Sequence, residues 1–249
     1  MTIRFTGSAI VLDIEGTLLP IRYAGDVLGP YARRRMHRFL RANWENPAVA
    51  QAREQLARDA GAGCFIAWCG GELGGRSVEK LCVEVYRQME SGTSTVGLRR
   101  LQELLWQEGF ASGDLRTPVY ADVLPGLQRW RESNIDVRAY SASSAAEQRM
   151  LLAHTGDGDL TPLINGYFDG GAGSKRLPES YSAIAGEMGL PPEEILCVSD
   201  TKAELDAAHG AGCATALVVR PGNPPVRESH AHAIVSELSE IALPAHLHS

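Results

Sequence analysis

Four short apolar runs, each followed at once by a polar or turn-forming residue, most constrain how this chain can fold. Runs of this length are typical of parallel strands that are buried on both faces of a sheet. The later runs are separated by helical patterns, and this alternation predicts an α/β fold with a doubly wound, Rossmann-like parallel sheet. The apolar runs lie at Ala9–Leu12, Asp136–Tyr140, Ile195–Val198 and Ala214–Val219, and the helical patterns lie at Ala145–Ala153, Tyr181–Met188 and Lys202–Ala211.

The segment between the first two runs has helical periodicity and hardly any strand signal. It therefore interrupts the sheet after its first strand, and we expect a separate helical cap over residues 21–116. The α/β core then consists of residues 1–20 and 117–249. The candidate cap helices are Tyr31–Asn43, Pro47–Ala60, Val78–Met89 and Leu98–Glu108.

The composition excludes several classes of partner. A net charge of −6 and a pI near 5.7 disfavour general binding to nucleic acid or to an anionic membrane, although a phosphorylated substrate remains compatible with a locally positive site. No apolar segment approaches the ~20 residues that span a bilayer, and no signal-peptide pattern is present. Five irregularly spaced cysteines favour reduced thiols in a cytoplasmic protein.

The first apolar run ends in two carboxylates, Asp13 and Glu15, which are followed by Gly16 and Thr17. Residues i and i+2 of a strand share a face, so both acids are able to point into one site. Two adjacent carboxylates repel each other unless a cation or a shared proton relieves them. The pair therefore indicates either a carboxylate nucleophile with an acid/base partner, as in phosphoryl transfer, or two solvated acids at a strand end.

Other polar residues follow the later strands, where ligands sit in open α/β sheets. Together they supply what phosphoryl transfer needs: a nucleophile, a cation and donors for the phosphate oxygens. Each also has a plain structural explanation, since Ser141 or Asp200 could cap a helix and Lys175 could be a solvated loop lysine. These residues are Ser141, Lys175 in a glycine-rich loop, Ser199 and Asp200, with Glu204 and Asp206 just beyond.

The pattern assigns a role to each residue. We expect Asp13 to attack phosphorus, and Glu15 to protonate the leaving oxygen and then to activate water. Ser141 and Lys175 are expected to bind the phosphate, Ser141 together with N–H groups at a helix N-terminus. Mg²⁺ suits oxygen ligands such as Asp13 and Asp200, with Glu15 beside them as a third candidate.

These segments together resemble the haloacid dehalogenase superfamily, whose four motifs appear in order. They are Asp13-Ile14-Glu15-Gly16-Thr17, Ser141, Lys175 and Ser199-Asp200. Most members carry aspartate as the second acid of the first motif. Glutamate at this position, here Glu15, makes the motif similar to that of the enolase-phosphatase (acireductone synthase) branch of methionine salvage. Further similar stretches cover nearly the whole chain, among them Val219-Arg220-Pro221-Gly222-Asn223.

The resemblance implies a Mg²⁺-dependent, commonly monomeric cytoplasmic enzyme. It would enolise 2,3-diketo-5-methylthiopentyl-1-phosphate and then remove its phosphate to give an acireductone. Three stretches depart from this pattern. One is Pro118-Val119-Tyr120, where the family usually has His-Val-Tyr. Ala142, at a substrate-binding position after Ser141, replaces a serine of the usual motif, and Met89–Arg99 lacks an acid, an arginine and a lysine.

Two alternatives follow from these departures. The first is a phosphatase on the same scaffold that acts on a different small phosphorylated metabolite, without an enolase step. A lost buried donor typically costs about 1–3 kcal/mol, which is enough to change specificity. The second is a catalytically silent binding protein, although the joint presence of Asp13, Glu15, Ser141, Lys175 and Asp200 argues against it.

Overall fold

A computed structural model describes residues 2–71 and 75–243 of the chain. The chain divides into two compact units. One contains the residues up to Tyr23 and those from Arg116 onward, and the other is Ala24–Leu115. No helix among residues 2–71 and 75–243 is both long and apolar enough to cross a membrane.

The first unit is built on a parallel sheet. Within the described residues this sheet has six strands in the order β4-β3-β2-β5-β6-β7, and each strand runs parallel to its neighbours. A separate parallel pair joins β1 to β8. The strands are β1 (Ile3–Arg4), β2 (Ala9–Leu12), β3 (Asp136–Tyr140), β4 (Gly166–Phe168), β5 (Ile195–Ser199), β6 (Ala214–Val218), β7 (Ala233–Val235) and β8 (Ile241–Ala242).

The parallel sheet and its flanking helices confirm the predicted α/β class. All four apolar runs form strands, and all four residues of β2 are buried. The helices of this unit are α6 (Val123–Glu132), α7 (Ala145–Ala153), α8 (Pro178–Met188) and α9 (Lys202–Gly210).

The second unit is helical throughout its described residues. Its π-helical turn Ala24–Leu28 leads directly into α1. Asn46 begins α2 by accepting a hydrogen bond from the N–H of Ala48 at 2.9 Å, as an N-cap does. The helices are α1 (Gly29–Ala42), α2 (Pro47–Asp59), α3 (Phe65–Cys69), α4 (Gly75–Ser91) and α5 (Val96–Ala111).

The central position of β2 places the first carboxylates in the middle of the sheet. Leu12 is in register with Ala139 of β3 on one side and with Val198 of β5 on the other. The residues that follow these three strands therefore meet at one edge of the sheet. Both faces of a parallel sheet are covered, so polar residues become accessible to a ligand at this edge, where the strands end.

Candidate active site

Asp13 lies at the carboxyl end of β2 in a nearly buried position. Its N–H donates to the carbonyl of Val198 at 2.9 Å, which extends the pairing with β5 by one residue. The carboxylate accepts a hydrogen bond from the Thr17 hydroxyl at 3.3 Å and forms an ion pair with the ammonium of Lys175. Its side chain is 10% exposed, so the carboxylate is mostly shielded from solvent.

Lys175 is held between two acids rather than in solvent. Its Nζ contacts Asp13 and lies 2.7 Å from the Glu204 carboxylate, which also accepts a hydrogen bond from the Ser199 hydroxyl at 2.8 Å. Burial alone would lower the pKa of Lys175, but the charges of Asp13 and Glu204 outweigh it and raise that pKa. The side chain of Lys175 is 12% exposed and paired with two carboxylates, so its interpretation as a solvated loop lysine is wrong.

Glu15 and Asp200 both lie in an environment that favours their protonated forms. Burial, and then the negative charge of Asp13, raises the pKa of Glu15 above its ordinary value. The same two causes raise the pKa of Asp200 to about 6. The structure thus brings three carboxyl groups close enough to repel one another, with only part of that charge neutralised by Lys175.

Ser141 follows β3 and is positioned by the neighbouring strand. Its N–H donates to the carbonyl of Phe168 at 3.1 Å, and its hydroxyl lies 3.1 Å from that of Ser143. Ser144, rather than Ser141, caps α7 by accepting from the N–H of Glu147 at 3.1 Å. The helix-cap interpretation of Ser141 is therefore wrong. Ala142, between these serines, is exposed.

Asp200 follows β5 but does not cap α9, because the N-cap position of this helix is Thr201. One Oδ of Asp200 accepts from the Thr201 hydroxyl at 3.2 Å and the other accepts from Asn223 Nδ2 at 3.0 Å. Gly16 makes room for this carboxylate. A Cβ at Gly16 would lie 2.3 Å from Asp200 Oδ2, and φ there is +77°, which is favourable mainly for glycine.

Asn223 and Arg220 have roles that the sequence patterns did not reveal. Asn223 Nδ2 also donates to the carbonyl of Gly16 at 2.8 Å, so a single amide joins the segments that carry Asp13 and Asp200. Arg220 is buried and donates to the carbonyl of Thr17 at 3.0 Å and to both carboxylate oxygens of Asp122. The only sequence signal was their place in a stretch with family resemblance.

Asp206 lies outside this set of contacts. It accepts from Lys202 at 2.7 Å and is 3.0 Å from the buried ring of His232. Of the two acids that follow Asp200, only Glu204 joins the Lys175 pair.

The donor set fits a magnesium ion. Within residues 2–71 and 75–243, no three His, Cys, Asp or Glu side chains form a ready metal cage. Mg²⁺ does not need one, because it is usually bound by one or two carboxylates and keeps waters or substrate phosphate oxygens as its other ligands. The mutual repulsion of Asp13 and Asp200 is what such a cation relieves.

Sequence comparisons place these residues in a known family. The model of haloacid dehalogenase-like hydrolases matches residues 8–212. Enolase-phosphatase E1 of Erwinia tasmaniensis is 38% identical over 85% of this chain and 88% of its own length. Enolase-phosphatase E1 of Aquifex aeolicus is 37% identical over 87% of this chain and 92% of its own length.

A solved structure agrees with this placement. The chain is similar to the UTR4 protein of Saccharomyces cerevisiae, with a TM-score of 0.78, 28% identity, and coverage of 93% of this chain and 98% of the other. The alignment spans the α/β sheet and the segment inserted after its central strand. From the family match and the curated relatives, the chain belongs to the haloacid dehalogenase-like hydrolases and is an enzyme of that family.

Proposed function

We propose that this hydrolase is a Mg²⁺-dependent phosphatase that works through an aspartyl-phosphate on Asp13. Its substrate is 2,3-diketo-5-methylthiopentyl-1-phosphate, which it enolises and dephosphorylates to an acireductone in methionine salvage. We further propose that residues 21–116, which contain the compact helical unit Ala24–Leu115, form the inserted cap, and that the enzyme is a cytoplasmic monomer. The relatives named enolase-phosphatase support this choice of substrate. The buried Asp13–Lys175 ion pair is the observation that supports the phosphatase chemistry.

In the first step, an oxygen of Asp13 attacks phosphorus, and the bond between phosphorus and the substrate ester oxygen breaks. Lys175 lies against Asp13 and offers its charge to the phosphate oxygens, since the pKa of Lys175 lies above the ordinary value. The Ser141 hydroxyl donates to the same phosphate. Mg²⁺, held by Asp13 and Asp200, would neutralise the negative charge that develops on the phosphoryl group.

Glu15 serves as the proton donor and then as the base. Burial and the charge of Asp13 raise the pKa of Glu15, so Glu15 keeps its proton to a higher pH than an ordinary glutamate does. It gives this proton to the leaving oxygen. It then takes a proton from a water molecule, whose oxygen attacks phosphorus and releases Asp13.

Two specific features support a second substrate. Ala142 is exposed beside Ser141, where the related motif has a serine, so one hydroxyl donor is missing from the substrate side. The Met89–Arg99 stretch, which includes the end of α4 and the start of α5, also lacks the charged residues of the usual pattern. These differences favour a phosphatase acting on another small phosphate ester without enolisation.

Purified enzyme with Mg²⁺ distinguishes these functions. Enediol absorbance followed by phosphate release from the diketo phosphate supports the enolase-phosphatase. Turnover of other sugar phosphates but not of this substrate supports the second candidate.

The nucleophile is tested separately with an aryl phosphate. We expect Asp13→Asn to lose at least about a thousandfold in kcat, because the amide cannot form the covalent intermediate. Asp206→Asn is the matched control and should retain activity, since Asp206 contacts Lys202 and His232 instead of the site. Full activity in Asp13→Asn would refute the aspartyl-phosphate mechanism.

A further inference from the structure

Lys175 must be held by something other than its own chain segment, because that segment has little regular structure. It lies in a turn between the short helical turn that ends at Ala172 and the start of α8 at Pro178. Gly173, two residues earlier, has φ of +109°, and a Cβ there would lie 2.4 Å from the Ser180 hydroxyl. A loop of this kind does not by itself fix a long side chain to within a fraction of an ångström.

Two buried tyrosine hydroxyls bind this loop on either side of the lysine. Tyr140, the last residue of β3, donates to the carbonyl of Gly173 at 3.0 Å. Tyr181, in the first turns of α8, donates to the carbonyl of Lys175 itself at 2.9 Å. Burial raises the pKa of both phenols, so each hydroxyl keeps its proton and remains a donor.

The two rings also form one packed unit beneath the ammonium group. Their centroids are 5.6 Å apart in an edge-to-face arrangement, and Lys175 Nζ lies 5.6 Å from the centroid of the Tyr140 ring. That distance is within the range of a cation–π contact. These side chains, together with Asp13 and Glu204, line a cavity of only about 10 Å³, so Lys175 has little room to move.

We propose that Tyr140 and Tyr181 are positioning residues that fix Lys175 against the phosphate-binding site. Their hydroxyls hold its backbone through the Gly173 and Lys175 carbonyls, and the Tyr140 ring supports its charge. This inference rests on the proposed function, because it assumes that Lys175 meets a substrate phosphate. It also explains why Tyr140 directly precedes Ser141: one strand end supplies both a phosphate donor and a support for the lysine.

The first test is the affinity for orthophosphate, measured by calorimetry with Mg²⁺ present. Tyr181→Phe and Tyr140→Phe each remove one hydroxyl and keep the ring. Loss of one hydrogen bond corresponds to roughly two- to tenfold weaker binding, and we expect a change in this range for each variant. Tyr167→Phe is the matched control, because the buried Tyr167 hydroxyl has no hydrogen-bond partner among the residues that the structure describes. It should bind phosphate as the wild type does.

A double-mutant cycle separates positioning of Lys175 from general damage to the fold. In a Lys175→Ala background, Tyr181→Phe should have less than about a twofold further effect, because the group through which it acts is gone. If phosphate binding to Lys175→Ala is too weak to measure, Lys175→Arg serves as the background and should likewise reduce the effect of Tyr181→Phe. Should Tyr181→Phe fail to fold, Tyr140→Phe completes the same cycle.

The outcomes distinguish this inference from the proposed function. Equal losses in the wild-type and lysine-substituted backgrounds, or no loss in either tyrosine variant, would overturn the positioning role alone. A wild-type enzyme that neither binds orthophosphate nor releases it from any ester would overturn both the proposed function and the role of the tyrosines.

Discussion

Single side chains at the strand ends decide how much charge the candidate site holds. Asp13, Glu15, Asp200 and Glu204 supply four carboxyl groups. Lys175 forms ion pairs with two of them, Asp13 and Glu204. Because Lys175 neutralises only part of this negative charge, the pKa values of Glu15 and Asp200 are raised. If the proposed function is right, protons and Mg²⁺ compete for a site with this balance, and we expect its activity to depend on both pH and Mg²⁺.

Mg²⁺ affinity should fall steeply in mild acid. The pKa of Asp200 is raised to about 6 in the metal-free protein, so the carboxylate is ionised above that pH and protonated below it. Because the cation needs the ionised form, the Kd for Mg²⁺ should rise about tenfold per pH unit below the pKa. Calorimetric titrations between neutral and mildly acidic pH measure this, and a pH-independent Kd would contradict it.

The same raised pKa has a defined effect on stability. The native state binds the Asp200 proton more tightly than the unfolded chain, so this group favours the folded metal-free protein more as the pH falls from about 6 toward 4. Saturating Mg²⁺ should remove this contribution, because the bound cation displaces the proton.

Asn223 should control cation binding although it carries no charge. Its amide orients Asp200 and the Gly16 carbonyl together, and loss of such supporting contacts typically weakens metal affinity by about 10–100-fold. We expect Asn223→Ala to show this loss in a direct Mg²⁺ titration. Asn165→Ala, just before β4, is the control. Equal affinities in the two variants would remove Asn223 from the site.

Much of the residue-level site was predictable from strand ends alone. Asp13, Glu15, Ser141, Lys175 and Asp200 all follow strands or lie in the loop before α8, because parallel strands deliver their ends to one edge. The roles of Asn223 and Arg220 were not predictable, because both residues lie in a loop after β6 whose path depends on tertiary contacts. A polar residue in such a loop has no pattern that shows which carbonyl it will reach.

Among helices and strands, long periodic segments were predicted well and short ones were not. The four predicted strands agree with β2, β3, β5 and β6 to within one residue at either end. The strands β4 and β7 were missed, because each has only three residues, which is too few for periodicity to appear. The helix α6 was also missed. Its Pro125-Gly126 pair is typical of a turn, but proline is tolerated in a first turn and Gly126 leaves space for Leu238.

The packing of α5 on α2 depends on one small residue. Gly97 lies in the first turn of α5, and a Cβ there would be 2.3 Å from the backbone nitrogen of Leu56. We expect Gly97→Ala to destabilise the protein by about 1–3 kcal/mol through overpacking. Thermal unfolding measures this. Gly63→Ala should unfold close to the wild-type temperature, because no atom of the described residues would lie within 4 Å of a Cβ at Gly63.

For the molecule as a whole, Arg220 joins segments that are far apart in sequence. It binds Thr17 near the start, Asp122 before α6, and the carbonyl of Ser236 at 2.8 Å after β7. Its side chain is 2% exposed, so its charge has no access to water if a partner is removed. One guanidinium group thus connects the first loop of the sheet with its last strand.

Breaking this contact should be costly. Arg220→Met leaves the Asp122 carboxylate without its buried cation, and removing one partner of a buried pair typically costs about 3–5 kcal/mol. Urea unfolding of this variant should show a correspondingly lower midpoint. Arg227→Met, at an exposed position, should leave the midpoint unchanged. A small effect in Arg220→Met would mean that the loop relaxes and lets water reach Asp122.

The central place of β2 in the sheet also has a consequence during synthesis. The strand that carries Asp13 leaves the ribosome early, yet its neighbours β3 and β5 begin only at Asp136 and Ile195. Until then its apolar residues have no sheet to join. Such long-range pairing slows folding and exposes a nascent chain to aggregation. Catalytic competence should therefore appear abruptly, only after the loop that contains Asn223 has been translated.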